Sequence, residues 1–172
     1  MTARTPLSSP FFGGVLPFAY NSRGQLFFLL GRENFGRDAG CWSGFAGRME
    51  AADGGDVLAT ASREGSEESS GLLGSPAELR MFLGSKAVPY HVENGVHYLL
   101  PFQFNAYLPV MFSGVQAAIR SSGRPNTHFL EKSVIAWFSP EELDALKLRR
   151  GFRKDIPGII GAIADHGRKY VQ

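Results

Sequence analysis

Three carboxylates and one arginine stand close together in the middle of the chain, at positions Arg63, Glu64, Glu67 and Glu68. On a helix, acids three and four positions apart lie about 5–6 Å from one another and repel by a few tenths of a kcal/mol per pair. The stretch from Asp56 to Ser70 holds no lysine and no second arginine that could relieve this repulsion. Clustered carboxylate oxygens are the ligands that hard divalent cations such as Mg²⁺ or Mn²⁺ prefer. The cluster therefore indicates a metal site, and a solvated acidic helix face is the alternative.

The apolar residues of the same stretch indicate which acids point toward the interior. At about 100° per residue, one side of the helix carries three of them: Val57, Leu58 and Ala61. Glu68 falls within roughly 30° of the centre of that side and Glu64 within roughly 70°, whereas Glu67 lies at about 130°. Solvated acidic faces usually alternate acids with Lys or Arg and do not continue an apolar stripe. Two of the three acids continue the stripe here, although the pattern alone leaves both alternatives open.

The segment around these acids resembles the signature of the Nudix (MutT-like) hydrolase superfamily. That signature reads G-x5-E-x7-R-E-U-x-E-E-x-G-U, where U is a bulky aliphatic residue, and its R-E-x-x-E-E core matches Arg63 to Glu68. Before the core, Gly47 is followed after five residues by Asp53 in place of Glu, and nine residues stand where the signature has seven. Within and after the core, Gly65 occupies an aliphatic position and Gly71 comes one residue late. The chain therefore resembles a divergent member of the family.

The resemblance implies a role for each matching residue. The metal ligands would be three side chains and one backbone carbonyl: Glu64, Glu67, Glu68 and the carbonyl of Gly47. The catalytic residues would be Arg63, Glu64, Glu67 and, from outside the signature, Glu131. Glu64 or a distant carboxylate would assist the attacking water. Glu131 is the candidate because it precedes the predicted strand Ser133 to Phe138, and an exposed edge acid is the alternative for it.

Several basic and aromatic residues are candidates for binding a substrate. Arg63 would orient the acids by pairing with Asp53 or Asp56, and the longer loop leaves both open. By analogy with the family, Arg32 and Arg48 would contact substrate phosphates. The run from Lys147 to Lys154 is dense in basic residues and contains an aromatic, so it could hold phosphates or RNA. A solvated helix junction is the alternative for that run. A base could stack on an aromatic ring, with three candidates: Phe12, Phe45 and Tyr90.

The activity implied by the resemblance is hydrolysis of a nucleoside diphosphate linked to another group, by water attack at phosphorus with Mg²⁺ or Mn²⁺ as the cofactor. A polyanionic phosphoanhydride binds an acidic pocket only through bridging cations, so the metal site and the substrate class belong together. The partner would be a small-molecule nucleotide, and capped RNA stays open as a substrate. The distorted signature also leaves a second hypothesis, a Nudix-fold module that binds nucleotide or RNA with little or no hydrolysis.

Length and composition limit the remaining possibilities. The 172 residues predict one domain over 1–172, with residues 1–10 as a flexible arm. The formal charge of +2 argues against a dedicated nucleic-acid coat, and a single cysteine, Cys41, excludes an internal disulfide. No apolar run approaches the roughly 20 residues of a membrane span, and no clean signal peptide is present. We expect an intracellular, soluble, cytoplasmic protein, and a homodimer stays open.

Periodicity and turn signals predict the elements. Predicted strands cover Phe11–Tyr20, Gln25–Leu30, Cys41–Ala46, Arg80–Val88, His97–Leu108 and Ser133–Phe138. Predicted helices cover Asp56–Ser70, Pro109–Arg120, a segment that begins at Ser139 and ends near Leu148, and Lys154–Tyr170. Glu93-Asn94-Gly95 is a hairpin turn signal. This order predicts an α/β protein, and the resemblance implies a Nudix-type α/β/α sandwich with a mixed β-sheet and the signature as a loop–helix–loop.

Overall fold

The computed structural model describes residues 11–123 and 126–167, and the predicted arm and the last residues of the predicted C-terminal helix lie outside them. The described strands are β1 (Phe12–Tyr20), β2 (Leu26–Glu33), β3 (Trp42–Ser43), β4 (Phe45–Arg48), β5 (Val88–Val92), β6 (Gly95–Pro101) and β7 (Lys132–Phe138). The α-helices are α1 (Val57–Glu68), α2 (Pro76–Lys86), α3 (Leu108–Ser121) and α4 (Arg150–Gly167). Short 3-10 helices cover Ala51–Asp53, Thr127–Leu130 and Glu142–Ala145. None of the described helices is long and apolar enough to cross a membrane.

The strands form one mixed sheet with β1 near its centre. β1 pairs antiparallel with β2 and β4 and parallel with β6. β5 and β6 form an antiparallel hairpin at one side, and β2 pairs with β3 and β7 at the other. The expected hairpin turn lies between Val92 and Gly95 and is confirmed. The sheet thereby brings β4 and the start of β7, which are distant in sequence, to the same region as α1.

Helices cover both faces of the sheet, because each sheet face carries its own apolar cluster. Residues of α1, α2 and α3 pack on one face around Val15, Leu29 and Phe45. Residues of α4 pack on the opposite face around Leu16 and Phe28. Alternate residues of one strand, such as Val15 and Leu16, therefore point to opposite layers. The expected α/β/α sandwich with a mixed sheet is confirmed.

The loop that precedes α1 is shaped by two glycines and an N-cap. Gly54 and Gly55 have φ values of 63° and 79°, which are left-handed and favour glycine. Asp56 then caps α1 by accepting a hydrogen bond from the Leu58 backbone N–H at 2.9 Å. The two additional residues of this loop, relative to the Nudix signature, are thus accommodated before the helix begins. Beyond the helix end, Gly71 is also left-handed, with a φ of 79°.

The predicted strand Arg80–Val88 is wrong, since this segment lies in α2 and only its last residue begins β5. Ser75 and Glu78 form a reciprocal capping box, with Pro76 at the first position of the helix. Leu79 and Leu83, four positions apart, bury one helix face at 0% and 2% exposure. The cap and the burial of residues four positions apart favour a helix here in place of the predicted strand.

Two other predicted boundaries differ from the structure. β6 ends at Pro101, well before the predicted Leu108, and Phe102 makes a last backbone hydrogen bond to the Phe18 carbonyl of β1 at 2.8 Å. The capping box at Ser139 opens only the 3-10 helix Glu142–Ala145, not a helix to Leu148. The chain is drawn out of helical geometry there because Trp42 of β3 donates a backbone hydrogen bond to Lys147 at 2.8 Å. The C-terminal helix consequently begins at Arg150, four residues before the predicted start.

Gly65 in α1 is explained by close packing. A Cβ built at Gly65 would lie 2.8 Å from Val15 Cγ2 and 3.2 Å from Leu79 Cδ1, both of which belong to the apolar cluster. Such distances are too short for carbon atoms, so a side chain here would force α1 away from the sheet. The glycine that departs from the Nudix signature therefore allows α1 to pack directly against β1.

We expect Gly65→Ala to lower the free energy of unfolding by about 1–3 kcal/mol, because overpacking outweighs the gain in helix propensity. Gly114→Ala in α3 is the matched control, since nothing lies within 4 Å of a Cβ built there. The control is expected to stabilise by up to about 1 kcal/mol. Urea denaturation of both variants measures the difference, and a stabilised Gly65→Ala would contradict the packing explanation.

Candidate active site

The end of α1 lies against β4, and this contact buries two of the three acids of the helix. Glu64 is 7% exposed and Glu68 is 3% exposed, whereas the side chain of Glu67 is 23% exposed. The helical periodicity expected from the sequence is thereby confirmed for these acids. A Cβ built at Gly47 of β4 would overlap the Glu64 carboxylate. Glycine at this position is therefore needed for Glu64 to lie in the seam between α1 and β4.

Arg63 connects the acids to the loop and to β4. Its Nη1 donates hydrogen bonds to Glu64 Oε1 at 2.8 Å and to Glu67 Oε2 at 3.1 Å. Its Nε and Nη2 donate to the two oxygens of Asp53 at 3.1 and 3.0 Å. Nη2 also donates to the backbone carbonyl of Arg48 at 2.9 Å. The rigid planar guanidinium therefore fixes the end of β4, the loop and α1 relative to one another.

Asp53 is the loop acid that pairs with Arg63, which decides between the two alternatives that the sequence left open. The Arg63 hydrogen bonds hold the pKa of Asp53 well below its ordinary value of 3.8, at about 2, although burial opposes them. Thr60 Oγ1 also donates to Asp53, at 3.0 Å. Asp56 caps α1 and pairs with Arg80 of α2 at 2.5 Å. Each aspartate thus holds a different part of the structure to α1.

A buried lysine, Lys132 at the start of β7, lies beside Glu68. Its side chain is 0% exposed, and its Nζ lies 3.3 Å from Glu68 Oε2 and 2.5 Å from Glu33 Oε1. Nζ also donates to Ser43 Oγ at 3.1 Å. Glu68 Oε2 accepts a further hydrogen bond from the backbone N–H of Ala46 at 2.7 Å. Sequence reasoning missed this lysine and Glu33, because their 99-residue separation leaves no local pattern to find.

Glu131 reaches the same cluster from the loop before β7. Glu64, Glu68 and Glu131 each offer one carboxylate oxygen, and these three oxygens lie within 4.8 Å of one another. The backbone N–H of Asn34 donates to the Glu131 carbonyl at 2.8 Å. His128 Nδ1 lies 3.2 Å from Glu131 Oε1. Glu131 therefore lies near the acids of α1, although its side chain is 43% exposed, and His128 contacts it directly.

Helix α3 holds the turn that carries Glu131. The buried Gln116 donates from Nε2 to the backbone carbonyl of Phe129 at 2.5 Å and lies 2.7 Å from Ser70 Oγ. Ser70 Oγ donates to the same Phe129 carbonyl at 2.9 Å. Because Ser70 follows the end of α1 directly, this network ties the helix of the acids to the turn before β7. Nothing in the sequence pattern singled out Gln116.

A cavity of about 530 Å³ opens on the other side of β4, with Gly47 and Arg48 in its wall. Five basic residues line it: Arg37, Arg48, Arg149, Arg150 and Lys154. Three acids also line it: Asp38, Glu93 and Asp155. Its aromatic walls are formed by Phe11, Phe12, Tyr90 and Phe152. The cavity is thus more basic than acidic and includes part of the basic run that the sequence singled out. None of the converging acids lines it, and Gly47 of β4 lies between the cavity and Glu64.

Comparisons with known proteins concern the fold. No protein-family model matches this sequence, and no curated protein matches it. Among solved structures, it is similar to a Nudix hydrolase from M. smegmatis, RenU, with a TM-score of 0.54, 13% identity, and coverage of 91% of this chain and 87% of that chain. It is also similar to the NUDIX domain of Shewanella oneidensis NrtR complexed with ADP ribose, with a TM-score of 0.50, 12% identity, and coverage of 92% and 88%. The chain is a Nudix-fold protein.

Burial raises the pKa of both interior acids of this Nudix-fold protein. The pKa of Glu64 rises from its ordinary 4.5 to about 7, mainly because burial removes its hydration; the Arg63 contact opposes the shift and the charge of Glu131 adds to it. Burial likewise raises the pKa of Glu68 to about 8, although the Lys132 ammonium opposes the change. Both acids therefore bind a proton more readily than a carboxyl group in water does.

The converging oxygens fit a hard divalent cation. Three carboxylates, each offering one oxygen, are the donor type that Mg²⁺ and Mn²⁺ take in proteins. Burial disfavours the ionised forms of Glu64 and Glu68, and a bound cation would favour those forms. Glu67 lies at the edge of the cluster, where its Oε2 accepts from Arg63. The residues of this Nudix-fold protein are thus compatible with the cofactor that the sequence resemblance implied.

The predicted substrate contacts occupy different surroundings. Arg48 lines the cavity, as do Phe12 and Tyr90. Arg32 instead lies outside that lining: its Nε donates to Ser133 Oγ at 3.2 Å and its guanidinium stands 6.0 Å from the centre of the Trp42 ring. The third aromatic candidate, Phe45, is fully buried in the apolar cluster that faces α1.

His97 of β6 is a further cavity residue that sequence reasoning did not identify. It is 6% exposed, and its Nδ1 has no hydrogen-bond partner among the described residues. Burial lowers the pKa of His97 to about 4, with the charge of Arg149 as a smaller cause. Phe12 and Phe152 pack against its ring edge-on. The cavity wall therefore contains a neutral imidazole between two aromatic rings.

Proposed function

We propose that this Nudix-fold protein is a divalent-metal-dependent hydrolase that cleaves a pyrophosphate bond in a nucleoside diphosphate linked to another group. The observation that supports this most is the convergence of Glu64, Glu68 and Glu131 within 4.8 Å. A structural acidic patch has no need to bury two carboxylates at the cost of raised pKa values. A cation site with a basic cavity across β4, by contrast, would supply the positive charge that binds the phosphate oxygens of a diphosphate ester.

Glu64, Glu68 and Glu131 would hold the divalent cation, with the Gly47 carbonyl and Glu67 as the remaining members of the proposed ligand set. When bound, the cation would supply positive charge to the phosphate oxygens and to the charge that develops on the leaving group. Lys132 and the backbone N–H of Ala46 both contact Glu68 Oε2 and hold this carboxylate in position.

Glu64 is the proposed acceptor of the proton from the attacking water. A new bond forms from the water oxygen to phosphorus, the bridging P–O bond breaks, and the water proton passes to the Glu64 carboxylate. Its carboxylate lies among the converging acids, next to the proposed cation position, where an activated water would be held. Arg63 would orient Glu64 through the hydrogen bond to Oε1.

The basic cavity is the proposed position for the part of the substrate beyond the reacting phosphates. Arg48 and Arg150 would face phosphate or ribose oxygens, and Tyr90 or Phe152 would pack on a base. A volume of about 530 Å³ lies within the range of small-molecule sites. Because the NrtR domain of the same fold was solved with ADP ribose, this compound is the first substrate to test.

A binding module with little or no hydrolysis is the second candidate, and one observation favours it. The Lys132 ammonium already supplies positive charge to Glu68, so the site is partly balanced without a metal. The convergence of three acids, including one from outside the helix, favours the enzyme over this alternative.

We expect phosphate or nucleotide release from at least one compound of a panel with Mg²⁺ or Mn²⁺, and none with EDTA. The panel contains ADP ribose, nucleotide sugars, dinucleoside polyphosphates, nucleotide coenzymes, oxidised nucleoside triphosphates and capped RNA. Release would be followed by chromatography of the products, with heat-denatured protein as the control. Binding without release across the panel, or release that EDTA leaves unchanged, would contradict the proposed activity.

A further inference from the structure

Lys132 is the one fully buried lysine among the described residues. Its ammonium has three N–H groups, and three acceptor oxygens surround it, from Glu33, Ser43 and Glu68, at 2.5, 3.1 and 3.3 Å. Ser43 Oγ also donates to Glu33 Oε1 at 2.8 Å. Each N–H group of the ammonium therefore has an acceptor oxygen nearby, and two of the three oxygens belong to carboxylates.

The backbone around Lys132 is shaped to receive it. β7 pairs with β2, and the register shifts between Arg32 and Glu33, opposite Lys132. A Cβ built at Gly31 would lie 2.8 Å from both Cγ and Cδ of Lys132, so glycine there leaves the space that the aliphatic stem occupies. Burying an ammonium is costly unless it is well paired, so this lysine has a defined position.

The two cations of the site divide the acids between them. Arg63 contacts Asp53, Glu64 and Glu67. Lys132 contacts Glu33 and Glu68. Glu68 is therefore shared: one oxygen lies against the ammonium and the Ala46 N–H, and the carboxyl group as a whole also belongs to the converging acids.

We propose that Lys132 is a positioning residue that acts as a built-in cation of the acidic site. Its ammonium fixes one oxygen of Glu68 and takes the place of a second metal ion, so that the site holds a single divalent cation. This inference rests on the proposed function, because it concerns the same acids. Lys132 would thus determine both how many metal ions the site binds and how the Glu68 carboxylate is oriented.

The test counts bound Mn²⁺ by electron paramagnetic resonance and by calorimetry, on the wild type and on Lys132→Met. Methionine keeps an unbranched apolar stem of similar volume and removes the ammonium group. We expect one ion per wild-type chain and a second ion in Lys132→Met, since the position of the ammonium then lies open between Glu33 and Glu68. Equal numbers in the two proteins, or two ions in the wild type, would overturn the inference.

The outcomes separate this inference from the proposed function. One ion in both proteins would overturn the role of Lys132 and leave the metal-dependent hydrolase standing. No ion in the wild type but one in Lys132→Met would overturn the single-ion site and argue against a metal-dependent wild type. No ion in either protein would overturn both.

A second measurement, the Tm with and without Mn²⁺, tests the proposal even if Lys132→Met is too unstable for ion counting. Without metal, Lys132→Met leaves the buried Glu68 and the partly buried Glu33 without their ammonium, and we expect its Tm to fall by roughly 10 °C. Mn²⁺ is expected to restore at least half of that loss, because it replaces the missing charge. Ile135→Ala is the matched control on the same strand, where a buried apolar side chain is removed. If Mn²⁺ raises the Tm of Lys132→Met no more than that of Ile135→Ala, the proposal fails.

Discussion

Glu64→Gln is expected to lower kcat/KM by about 10³-fold or more and, in the same protein, to raise stability without metal. The two effects have one cause. Glu64 is 7% exposed, and its charge costs free energy in the folded state but serves as base and ligand in the proposed reaction. Glutamine keeps a carbonyl oxygen that can accept from Arg63, so the packing of α1 against β4 is preserved.

The stability gain depends on pH, and its sign follows from the raised pKa of Glu64. An acid whose pKa rises from 4.5 to about 7 on folding stabilises the protein fully below 4.5, and that contribution is lost as the pH rises through about 7. We therefore expect wild type and Glu64→Gln to be similar near pH 4, and the variant to be about 1–3 kcal/mol more stable near pH 8 without metal.

Thermal denaturation across pH, together with initial rates on the active compound of the panel, measures both effects. Asp165→Asn is the matched control, since this exposed acid lies on α4 away from the cluster. The control is expected to leave the rate unchanged. Full activity in Glu64→Gln would show that this residue is not the base of the proposed mechanism. If the variant were less stable than the wild type at high pH, the explanation that ionising the buried Glu64 destabilises the fold would be wrong.

Arg63→Ala is expected to destabilise the protein by about 3–5 kcal/mol near neutral pH, because it leaves buried carboxylates without their partner. The side chain of Asp53 is 5% exposed and depends on the guanidinium for its charge. Arg63→Lys is expected to recover only part of the loss, because a lysine cannot form the paired contacts to both oxygens of Asp53.

A double-mutant cycle with Asp53→Asn tests the assignment. If Asp53 is the main partner of Arg63, Arg63→Ala is expected to destabilise the Asp53→Asn protein less than the wild type. In the Asp56→Asn protein, the destabilisation by Arg63→Ala is expected to be unchanged. The pH dependence gives a second check. The pKa of Asp53 is lowered to about 2, so the contribution of the pair is present above 3.8 and is lost as the pH falls through about 2. Equal coupling of Arg63 to both aspartates in urea denaturation would contradict the assignment.

The helix that carries the acids could be predicted from the sequence, because its apolar residues and its caps lie close together in the chain. Periodicity alone separated Glu64 and Glu68 from Glu67, and their burial confirms it. The N-cap Asp56 and the left-handed Gly71 were also readable, because caps and glycine conformations are set by neighbouring residues. The resemblance to the Nudix signature then supplied the fold, which the similar solved structures support.

Local patterns misled where tertiary contacts compete with them. Two segments begin with the same Ser-Pro-x-Glu capping signal, at Ser75 and Ser139. The first opens α2 because Leu79 and Leu83 can bury one helix face. The second gives only a 3-10 helix because Lys147 and Arg149 are hydrogen-bonded to Trp42 of β3. A capping signal marks where a helix can begin, and packing decides how far it runs.

By itself, the sequence determined the acidic helix and its buried side, since both follow from residues a few positions apart, and the resemblance to the Nudix signature supplied the fold class. Only the tertiary structure decided that Asp53 pairs with Arg63, that Glu131 joins the acids, and that Gly65 is a packing requirement. It alone revealed Lys132 beside Glu68. These contacts join strands, loops and helices across long stretches of chain, where no spacing in the sequence records which side chains the sheet will bring together.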